Sequence, residues 1–341
     1  MSGPPSLVRP RAGRWKLPPA ALVVSAAAAL ALAAAVPKTV RVEAVPAALA
    51  ARADWARARM LAAEACVRDA KRATGTLTAA GTAADPSGLL GDELTPLVTT
   101  LGSIEAKRLA VDPEWARELT VRLQRAGVHE GDVVAASFSG SFPGLNLAVV
   151  VAGAALGARV VAVSSVTAST WGANQPGFTW PEIEARLVGA GLIGPASAAV
   201  TLGGEGDAAL DLTSEARALA SRIQARAARA LGAVALVPPT PRAAVEERLA
   251  LYDRRAAGRR LAVFVNVGGG EASLGESGAV LRLRSGFIPG RPFDLAPDRG
   301  VMARMAERGV PVLTLLNIQD LGARWGIGRS RAGNAAASGD A

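Results

Sequence analysis

The chain has 341 residues, of which 50% are hydrophobic, 20% are charged and 4% are aromatic, and its formal net charge is +9. This share of apolar residues excludes a wholly disordered chain, and the length fits one large domain or two small ones. The only cysteine is Cys66 and the only histidine is His129. A disulfide within the chain and a Cys/His zinc cluster are therefore excluded, and we expect no metal site and no cofactor.

Basic residues are concentrated at the start of the chain. Residues 1–38 contain five lysines and arginines and no acidic residue, so they hold +5 of the net charge, and the other 303 residues hold +4. A nucleic-acid-binding module usually carries a basic stripe with interleaved aromatic residues. The sequence shows neither, and we expect no nucleic-acid partner.

An uncharged segment follows the basic residues. Residues 20–36 read AALVVSAAAALALAAAV, and with the three residues before them they are long enough to cross a bilayer. The preceding basic residues favour a cytoplasmic N-terminus. We predict a cytoplasmic tail at 1–16, a transmembrane signal anchor at 17–36 that crosses the cell membrane once, and an extracytoplasmic remainder. A cleaved signal peptide, suggested by Ala-x-Ala triplets, and a buried alanine-rich helix stay open as alternatives.

The remainder begins with a leading helix and linker at 37–91. Apolar residues at 3–4 spacing predict a helix at 45–72, and a Gly/Thr/Ala-rich loop follows it. A short amphipathic helix is predicted at 115–127. Beyond it, apolar runs typical of buried strands alternate with helical segments. The predicted strands are residues 132–137, 159–166, 198–202, 233–237, 261–267 and 311–318. The predicted helices between them are residues 145–157, 181–191, 214–232, 242–258 and 299–308.

This alternation predicts an α/β fold. We expect a mostly parallel sheet covered by helices on both faces and preceded by one N-terminal transmembrane helix. The exported α/β domain is assigned to residues 92–328. The tail at 329–341 is rich in Gly, Ala and Ser, and we expect it to be disordered.

Residues after the strands are the first candidates for a site, because ligands of open α/β sheets bind beyond the carboxyl ends of the strands. After the first strand comes a Ser/Gly loop that opens a helix, with Ser139, Gly140, Ser141 and Asn146. Its N–H groups and the helix dipole suit an anion. A plain strand-to-helix turn with a serine cap is the alternative.

A second polar stretch follows the next strand. It contains Ser164, Ser165, Thr170, Trp171 and Asn174. Such a stretch either lines a polar site or lies on the surface. A serine or threonine nucleophile is conceivable here, although the sequence marks no base nearby.

A glycine-rich stretch follows the strand at 261–267, where glycines permit close backbone approach to a ligand. It lacks the Lys-Ser/Thr ending of a P-loop, and we expect a polar loop after it rather than the helix of a dinucleotide-binding fingerprint. Glu205 and Glu271 are either a carboxylate pair for acid/base chemistry or two solvated turn residues. The candidate ligand-binding residues of the stretch are Asn266, Gly268, Gly269, Gly270 and Ser273.

The remaining reactive side chains have simpler interpretations. His129 lies in a turn before the first strand, where we expect it to be exposed, and this argues against a histidine-based hydrolase. Cys66 stands among alanines and a valine on the leading helix, where it is expected to pack or to be a surface thiol.

Several longer motifs stand in the same order as in a known family. Together they cover roughly residues 95–325, and the chain resembles the poly-gamma-glutamate system protein family. The resemblance implies a role beside the ligase and membrane subunits that make and export poly-γ-glutamate, but it supplies no catalytic residues. The motifs are TPLVTTLGSIEAKR at 95–108, SGSFPGLN at 139–146, SSV at 164–166, STWGAN at 169–174, FTW at 178–180, VNVGGG at 265–270, ASLG at 272–275 and ERGVP at 307–311.

Three functions are compatible with these features. The first is a membrane-anchored accessory component of poly-γ-glutamate synthesis or export. It would bind the polymer carboxylates through backbone N–H groups of residues 139–144 and 268–270 and through arginines, or would bind the synthase membrane subunits. The second is a structural partner without a polymer site, which holds the membrane subunits together.

The third is a γ-glutamyl hydrolase or transferase. Its nucleophile would be one of the serines and threonines after the strands, with Glu205 or Glu271 as acid/base. Lys107 is the only lysine in a candidate motif, and it serves as a base if it is desolvated. The candidate nucleophiles are Ser139, Ser141, Ser165 and Thr170.

Overall fold

A mostly parallel sheet is the centre of the fold. The computed structural model describes residues 44–77, 85–277, 279–290 and 299–328. The strands in this part of the chain are β1 (Val98–Thr100), β2 (Val133–Phe138), β3 (Arg159–Ser165), β4 (Ala168–Ser169), β5 (Ser197–Thr201), β6 (Val234–Ala235), β7 (Leu261–Val267), β8 (Gly286–Ile288) and β9 (Val312–Leu315). Seven of them pair in the order β6–β5–β3–β2–β7–β9–β8, and only β8 is antiparallel to its neighbour. β1 and β4 form a separate parallel pair.

Helices connect the strands, and their ends follow sequence signals. Thr213 and Thr240 accept a hydrogen bond from the backbone three residues ahead and so cap two of the longest helices. The helices in the described residues are α1 (Ala47–Ala73), α2 (Ile104–Ala110), α3 (Glu114–Arg125), α4 (Pro143–Ala155), α5 (Trp180–Gly189), α6 (Ser214–Leu231), α7 (Pro241–Ala256), α8 (Glu271–Leu274), α9 (Val301–Glu307) and α10 (Ile318–Trp325).

Both faces of the sheet are covered. Successive side chains of a strand point to opposite faces. Val133 of β2 packs in one core cluster with Tyr252 of α7 and Met302 of α9. Phe138, on the opposite face of β2, packs edge-on against Trp180 of α5, with 5.9 Å between the ring centroids. The predicted α/β fold with a mostly parallel sheet between helices is therefore confirmed.

The order of the strands creates a crevice at the carboxyl edge. From β2 the chain proceeds to β3, β5 and β6 on one side, and it then returns to the other side of β2 to form β7 and β9. The connections leave β2 and β7 in opposite directions. In open α/β sheets, this switch point is where ligands bind.

The leading helix is confirmed as α1. The apolar residues that share its 3–4 spacing are buried, and α1 packs against α3 and α4. No helix in the described part of the chain combines the length and the hydropathy needed to cross a bilayer. The predicted tail at 1–16, anchor at 17–36 and C-terminal tail at 329–341 lie outside the described residues.

The strand predictions need two corrections. The strand predicted at 233–237 is only Val234–Ala235, two exposed residues on the edge of the sheet. The strand predicted at 311–318 ends at Leu315, because Asn317 takes a left-handed conformation (φ 43°) and starts α10. The elements that we did not predict are β1, β4, β8, α2, α8 and α10, all of eight residues or fewer, which is too short for a clear hydrophobic period.

Candidate functional site

A cavity of about 390 Å³ lies at the carboxyl edge of the sheet, at the switch point between β2 and β7. We call it the strand-end pocket. The loops after β2, β3, β5 and β7 form its walls, and β1 contributes one side. Because the strands are parallel, their carboxyl ends bring together loops that are far apart in the sequence. The predicted site residues in its lining are Ser139, Ser141, Ser165, Glu205, Asn266, Gly269, Gly270, Glu271 and Ser273.

The other predicted site residues are not part of this lining. Asn146 supports the Ser/Gly loop, because its Nδ2 donates to the carbonyl oxygen of Ser139 at 2.9 Å. Ser164 is buried on β3 and shares a hydrogen bond of 2.6 Å with Ser197. These two side chains therefore support the walls. The residues outside the lining are Lys107, Gly140, Asn146, Ser164, Thr170, Trp171, Asn174 and Gly268.

Three residues that follow β4 hold the segments before and after β1. They are Thr170, Trp171 and Asn174. Asn174 accepts a hydrogen bond from the N–H of Asp92 at 3.0 Å and donates to its carbonyl oxygen at 2.7 Å. The Trp171 N–H donates to the same oxygen at 2.9 Å. Thr170 Oγ1 accepts from the N–H of Gly102 at 2.7 Å. These residues form a scaffold that places β1 beside the pocket.

The backbone of the Ser/Gly loop is already hydrogen-bonded within the protein. The N–H of Ser139 donates to Val267, that of Gly140 to Ser165 Oγ, and that of Ser141 to Ser139 Oγ at 3.1 Å. The N–H of Phe142 donates to the carbonyl oxygen of Ser139. An anion in the pocket therefore finds these four donors occupied.

The glycine-rich stretch approaches this loop closely. Gly268 has φ +84°, and a Cβ at this position would lie 2.8 Å from Cβ of Ser139. Both observations require glycine. We expected a polar loop after these glycines, but the structure shows the one-turn helix α8, which begins at Glu271.

Carboxylates outnumber cations in the lining. Arg248, the one basic residue that the described part of the chain contributes to the lining, is buried and pairs with Asp207 at 2.7 Å. Glu271 accepts a hydrogen bond from the N–H of Gly206 at 2.7 Å, which places it beside Glu205. The structure thus brings the two predicted glutamates to one pocket. Its acidic residues are Glu205, Asp207, Asp211 and Glu271.

Apart from Asp207 Oδ2, which pairs with Arg248, two buried polar atoms of the lining have no hydrogen-bond partner within the described residues. They are Asn266 Oδ1 and Ser273 Oγ. Asn266 Nδ2 donates to the carbonyl oxygen of Gly268 at 2.9 Å, and its Oδ1 is left as a buried acceptor without a partner in the described residues. Buried acceptors rarely remain unpaired. Together with the carboxylates, this favours an occupant that carries N–H or O–H donors.

Lys107 is buried next to the pocket. Its Nζ hydrogen-bonds to Ser169 Oγ at 2.6 Å and to the carbonyl oxygen of Ser141, and it lies 4.0 Å from the ring centroid of Phe142. Burial lowers the pKa of Lys107 to about 7, because a buried ammonium loses its hydration. We expected Lys107 to serve as a base if it was desolvated, and the structure shows that its side chain is buried. Ser169 was missed, although it belongs to the hydroxyl-rich stretch after β3.

His129 lies away from the pocket. It precedes β2, at the amino edge of the sheet, and two-thirds of its side chain is exposed. The expectation of an exposed turn residue is confirmed. The described residues contain no group of three or more His, Cys, Asp or Glu side chains that is able to hold a metal ion.

Fold and site together define an α/β protein with a polar, carboxylate-rich pocket at the switch point of a parallel sheet. No family model, no curated protein and no solved structure matches the chain. Its assignment to a family therefore rests on the motif resemblance alone.

Proposed function

We propose that this chain is a membrane-anchored accessory component of poly-γ-glutamate synthesis or export and binds the polymer in the strand-end pocket. One observation supports this most strongly. Six motifs that carry the family resemblance each place residues in or next to this pocket, namely those at 95–108, 139–146, 164–166, 169–174, 265–270 and 272–275. Segments that are 170 residues apart in the sequence thus converge on one site.

The rest of the proposal concerns location and partners. Residues 17–36 anchor the chain in the cell membrane and residues 1–16 stay in the cytoplasm, which leaves the α/β region outside. The uncharged stretch and the basic residues before it support this placement. A single-pass anchor also keeps the chain in the same membrane as the synthase membrane subunits, the second proposed partner.

The charges of the pocket determine which part of the polymer it receives. A run of free carboxylates is repelled by the acidic lining, in which Arg248 is already paired with Asp207. The amino end of a γ-linked chain carries an ammonium group instead. Glu271 and the free acceptor of Asn266 are suitable partners for its N–H donors. We therefore propose that the pocket binds the amino end.

Isothermal titration of the purified full chain with a γ-linked glutamate pentamer tests this binding. The pentamer with a free amino end should bind, and its N-acetylated form should bind at least tenfold more weakly. Glu271→Gln should weaken binding of the free form. Glu118→Gln on α3, whose partner is Arg122, is the matched control. No binding, or equal binding of both pentamers, would contradict the proposal.

A second candidate function is a γ-glutamyl hydrolase or transferase with a serine nucleophile. The contacts of buried Lys107 with the Ser169 hydroxyl and with the carbonyl oxygen of Ser141 favour it, since a desolvated amine next to a hydroxyl is a general base. Incubation of the full chain with the polymer, followed by gel filtration, separates the functions. Shortened or transferred chains indicate the enzyme, and co-eluting intact polymer indicates the binding component. Neither effect favours the structural partner.

A further inference from the structure

We propose that Ser141 is an acyl-accepting nucleophile whose general base is Lys107, and that Ser169 positions the pair. This inference goes beyond polymer binding. The substrate class is a carbonyl compound with an amine or alcohol leaving group. If the proposed function also holds, the substrate is a γ-glutamyl amide.

Lys107, Ser141 and Ser169 form a closed ring of hydrogen bonds. Lys107 Nζ contacts Ser169 Oγ at 2.6 Å and the carbonyl oxygen of Ser141. The N–H of Ser169 in turn donates to Ser141 Oγ at 3.0 Å. The Lys107 amine and the Ser141 hydroxyl are thus both hydrogen-bonded to Ser169 of β4. The amine is also bonded to the backbone of Ser141, in the loop after β2.

Lys107 is isolated from other charged side chains in the described part of the chain. On its own helix, α2, Glu105 and Arg108 are exposed. The packed helix α4 carries no charged residue, and on α10 Asp320 pairs with Arg324 at 2.9 Å. No carboxylate of the described residues forms an ion pair with Lys107. Burial therefore acts without compensation, and the pKa of about 7 leaves much of the amine neutral at neutral pH.

Ser141 differs from the other hydroxyls of the site in its exposure and its contacts. Ser141 lines the pocket and is partly exposed to it, whereas Ser169 is 6% exposed and outside the lining. Ser139 Oγ donates a hydrogen bond to Ser141 Oγ at 3.0 Å. Ser165 and Thr170 have no contact with Lys107 among the hydrogen bonds of the described residues, since Ser165 Oγ bonds to the backbone of Thr167. Ser141 alone combines access to the pocket with the ring around the amine.

The proposed reaction forms an ester on Ser141 and then cleaves it. Ser141 Oγ forms a bond to the carbonyl carbon as its proton passes to the neutral Lys107 amine. The resulting ammonium gives this proton to the leaving amine as the carbon–nitrogen bond breaks, which leaves an ester on Ser141. Water or a second amine then cleaves the ester, with Lys107 again taking and returning the proton.

Labelling with an alkyl fluorophosphonate tests the nucleophile without knowledge of the substrate. Ser141 Oγ bonds to phosphorus, fluoride leaves, and Lys107 accepts the proton. We expect one label per full chain, on the peptide that contains Ser141. The rate should increase with pH around a midpoint near 7. Ser141→Ala should abolish labelling, and Lys107→Met should slow it at least 100-fold.

Lys71→Met is the matched control. Lys71 is also buried, but its Nζ donates to the carbonyl oxygen of Leu90 at 2.7 Å and has no hydrogen bond to a hydroxyl of the described residues. This variant should be labelled within twofold of the wild-type rate. If Lys107→Met does not fold, as judged by circular dichroism, the wild-type pH profile and the Ser141→Ala variant carry the test.

Three results would overturn the inference: no label on the wild-type chain, a label on Ser139, Ser165 or Thr170, or a wild-type rate that does not change between pH 6 and 8. The proposed function fails or succeeds separately. A chain that is not labelled but binds the γ-linked pentamer refutes only this inference. A chain that is labelled at Ser141 but does not bind the pentamer refutes only the polymer proposal.

Discussion

Two buried lysines lie in different regions of this molecule, and their surroundings differ. Lys71 at the end of α1 and Lys107 on α2 are both almost fully buried, and each ammonium faces an aromatic ring. Burial lowers the pKa of Lys71 to about 8 and that of Lys107 to about 7. Desolvation is the largest cause in both.

Their partners separate the two regions. Lys71 donates to the carbonyl oxygen of Leu90, and the charges of Asp85 and Asp92 partly restore its pKa. It ties α1 to the segment before β1. No carboxylate in the described part of the chain plays this role for Lys107, and two serine residues contact its amine. Burial lowers the pKa of both lysines. The neighbouring groups decide whether the buried lysine ties two segments together or acts as a base.

The largest expected difference is in the pH dependence of stability. A folded-state pKa below the unfolded value of 10.5 means that the folded chain binds fewer protons within that interval. The free energy of unfolding therefore rises from pH 7 to 10.5 and is lost as the pH falls. At about 1.4 kcal/mol per pKa unit, Lys107→Met should remove a rise on the order of 5 kcal/mol, and Lys71→Met one of about 3.5 kcal/mol that begins near pH 8.

Urea unfolding of both variants and the wild type at pH 7, 8, 9 and 10 measures these slopes. Parallel curves for all three proteins would show that neither amine is perturbed. A slope lost only in Lys71→Met would remove the distinction that makes Lys107 the stronger base candidate.

A pair of glycine substitutions should separate stability from reactivity. At Gly88, near Lys71, φ is +73° and a Cβ would lie 2.6 Å from Cα of Arg68. Gly88→Ala should cost roughly 3 kcal/mol of stability and leave fluorophosphonate labelling unchanged. At Gly102, a Cβ would lie 3.1 Å from both Lys107 Cε and Ser169 Oγ.

Gly102→Ala should therefore cost only about 1 kcal/mol and yet slow labelling at least threefold, because it pushes the Lys107 amine and the Ser169 hydroxyl apart. Thermal unfolding and labelling rates of the two variants give the four values. If the labelling rate falls in proportion to the loss of stability in both variants, the expectation fails.

Removal of the positioning hydroxyl should have a smaller effect. Ser169→Ala deletes the acceptor of a hydrogen bond from Lys107, worth about 1.5 kcal/mol, and labelling should slow about tenfold. The acceptor stabilises the ammonium, so the pH midpoint of labelling should move below the wild-type value. Ser87→Ala near Lys71, where the hydroxyl bonds to Asp85, should change neither. An unchanged midpoint in Ser169→Ala would make Ser169 a packing residue.

The smallest expected effect concerns the aromatic rings. The Phe142 centroid lies 4.0 Å from Lys107 Nζ, and the Phe178 centroid lies 5.4 Å from Lys71 Nζ. A ring face stabilises an ammonium by about 0.5–2 kcal/mol. Phe142→Leu should lower the midpoint of the labelling profile by less than one pH unit, and Phe178→Leu should not move it. A midpoint that rises would exclude the ring as a stabilising group.

The sheet was predictable because its strands are long apolar runs. β2, β3 and β7 were located within one or two residues, and their order along the chain gave the edge at which the pocket lies. Ser141 and Glu271 were named as candidates for that reason. The occupied N–H groups of the Ser/Gly loop were not predictable, because their acceptors include Ser165 and Val267, which come from other strands.

The contact between Lys107 and Ser169 was not predictable either. It depends on the pairing of β1 with β4, two strands of three and two residues. Such short segments show no hydrophobic period, and the parallel pairing is set by tertiary packing. The sequence indicated a lysine in a motif and a hydroxyl-rich loop, but not that they meet.

The same short strand pair has a consequence for folding kinetics. The bond between Lys107 and Ser169 joins residues 62 positions apart, and that between Ser141 and Ser169 joins residues 28 apart. Closing such loops costs chain entropy before any contact compensates for it, and contacts of large sequence separation slow folding. We therefore expect the amine and the hydroxyls to meet late during refolding, after β2, β3 and β7 have paired. The recovery of labelling after dilution from urea should lag behind the recovery of secondary structure.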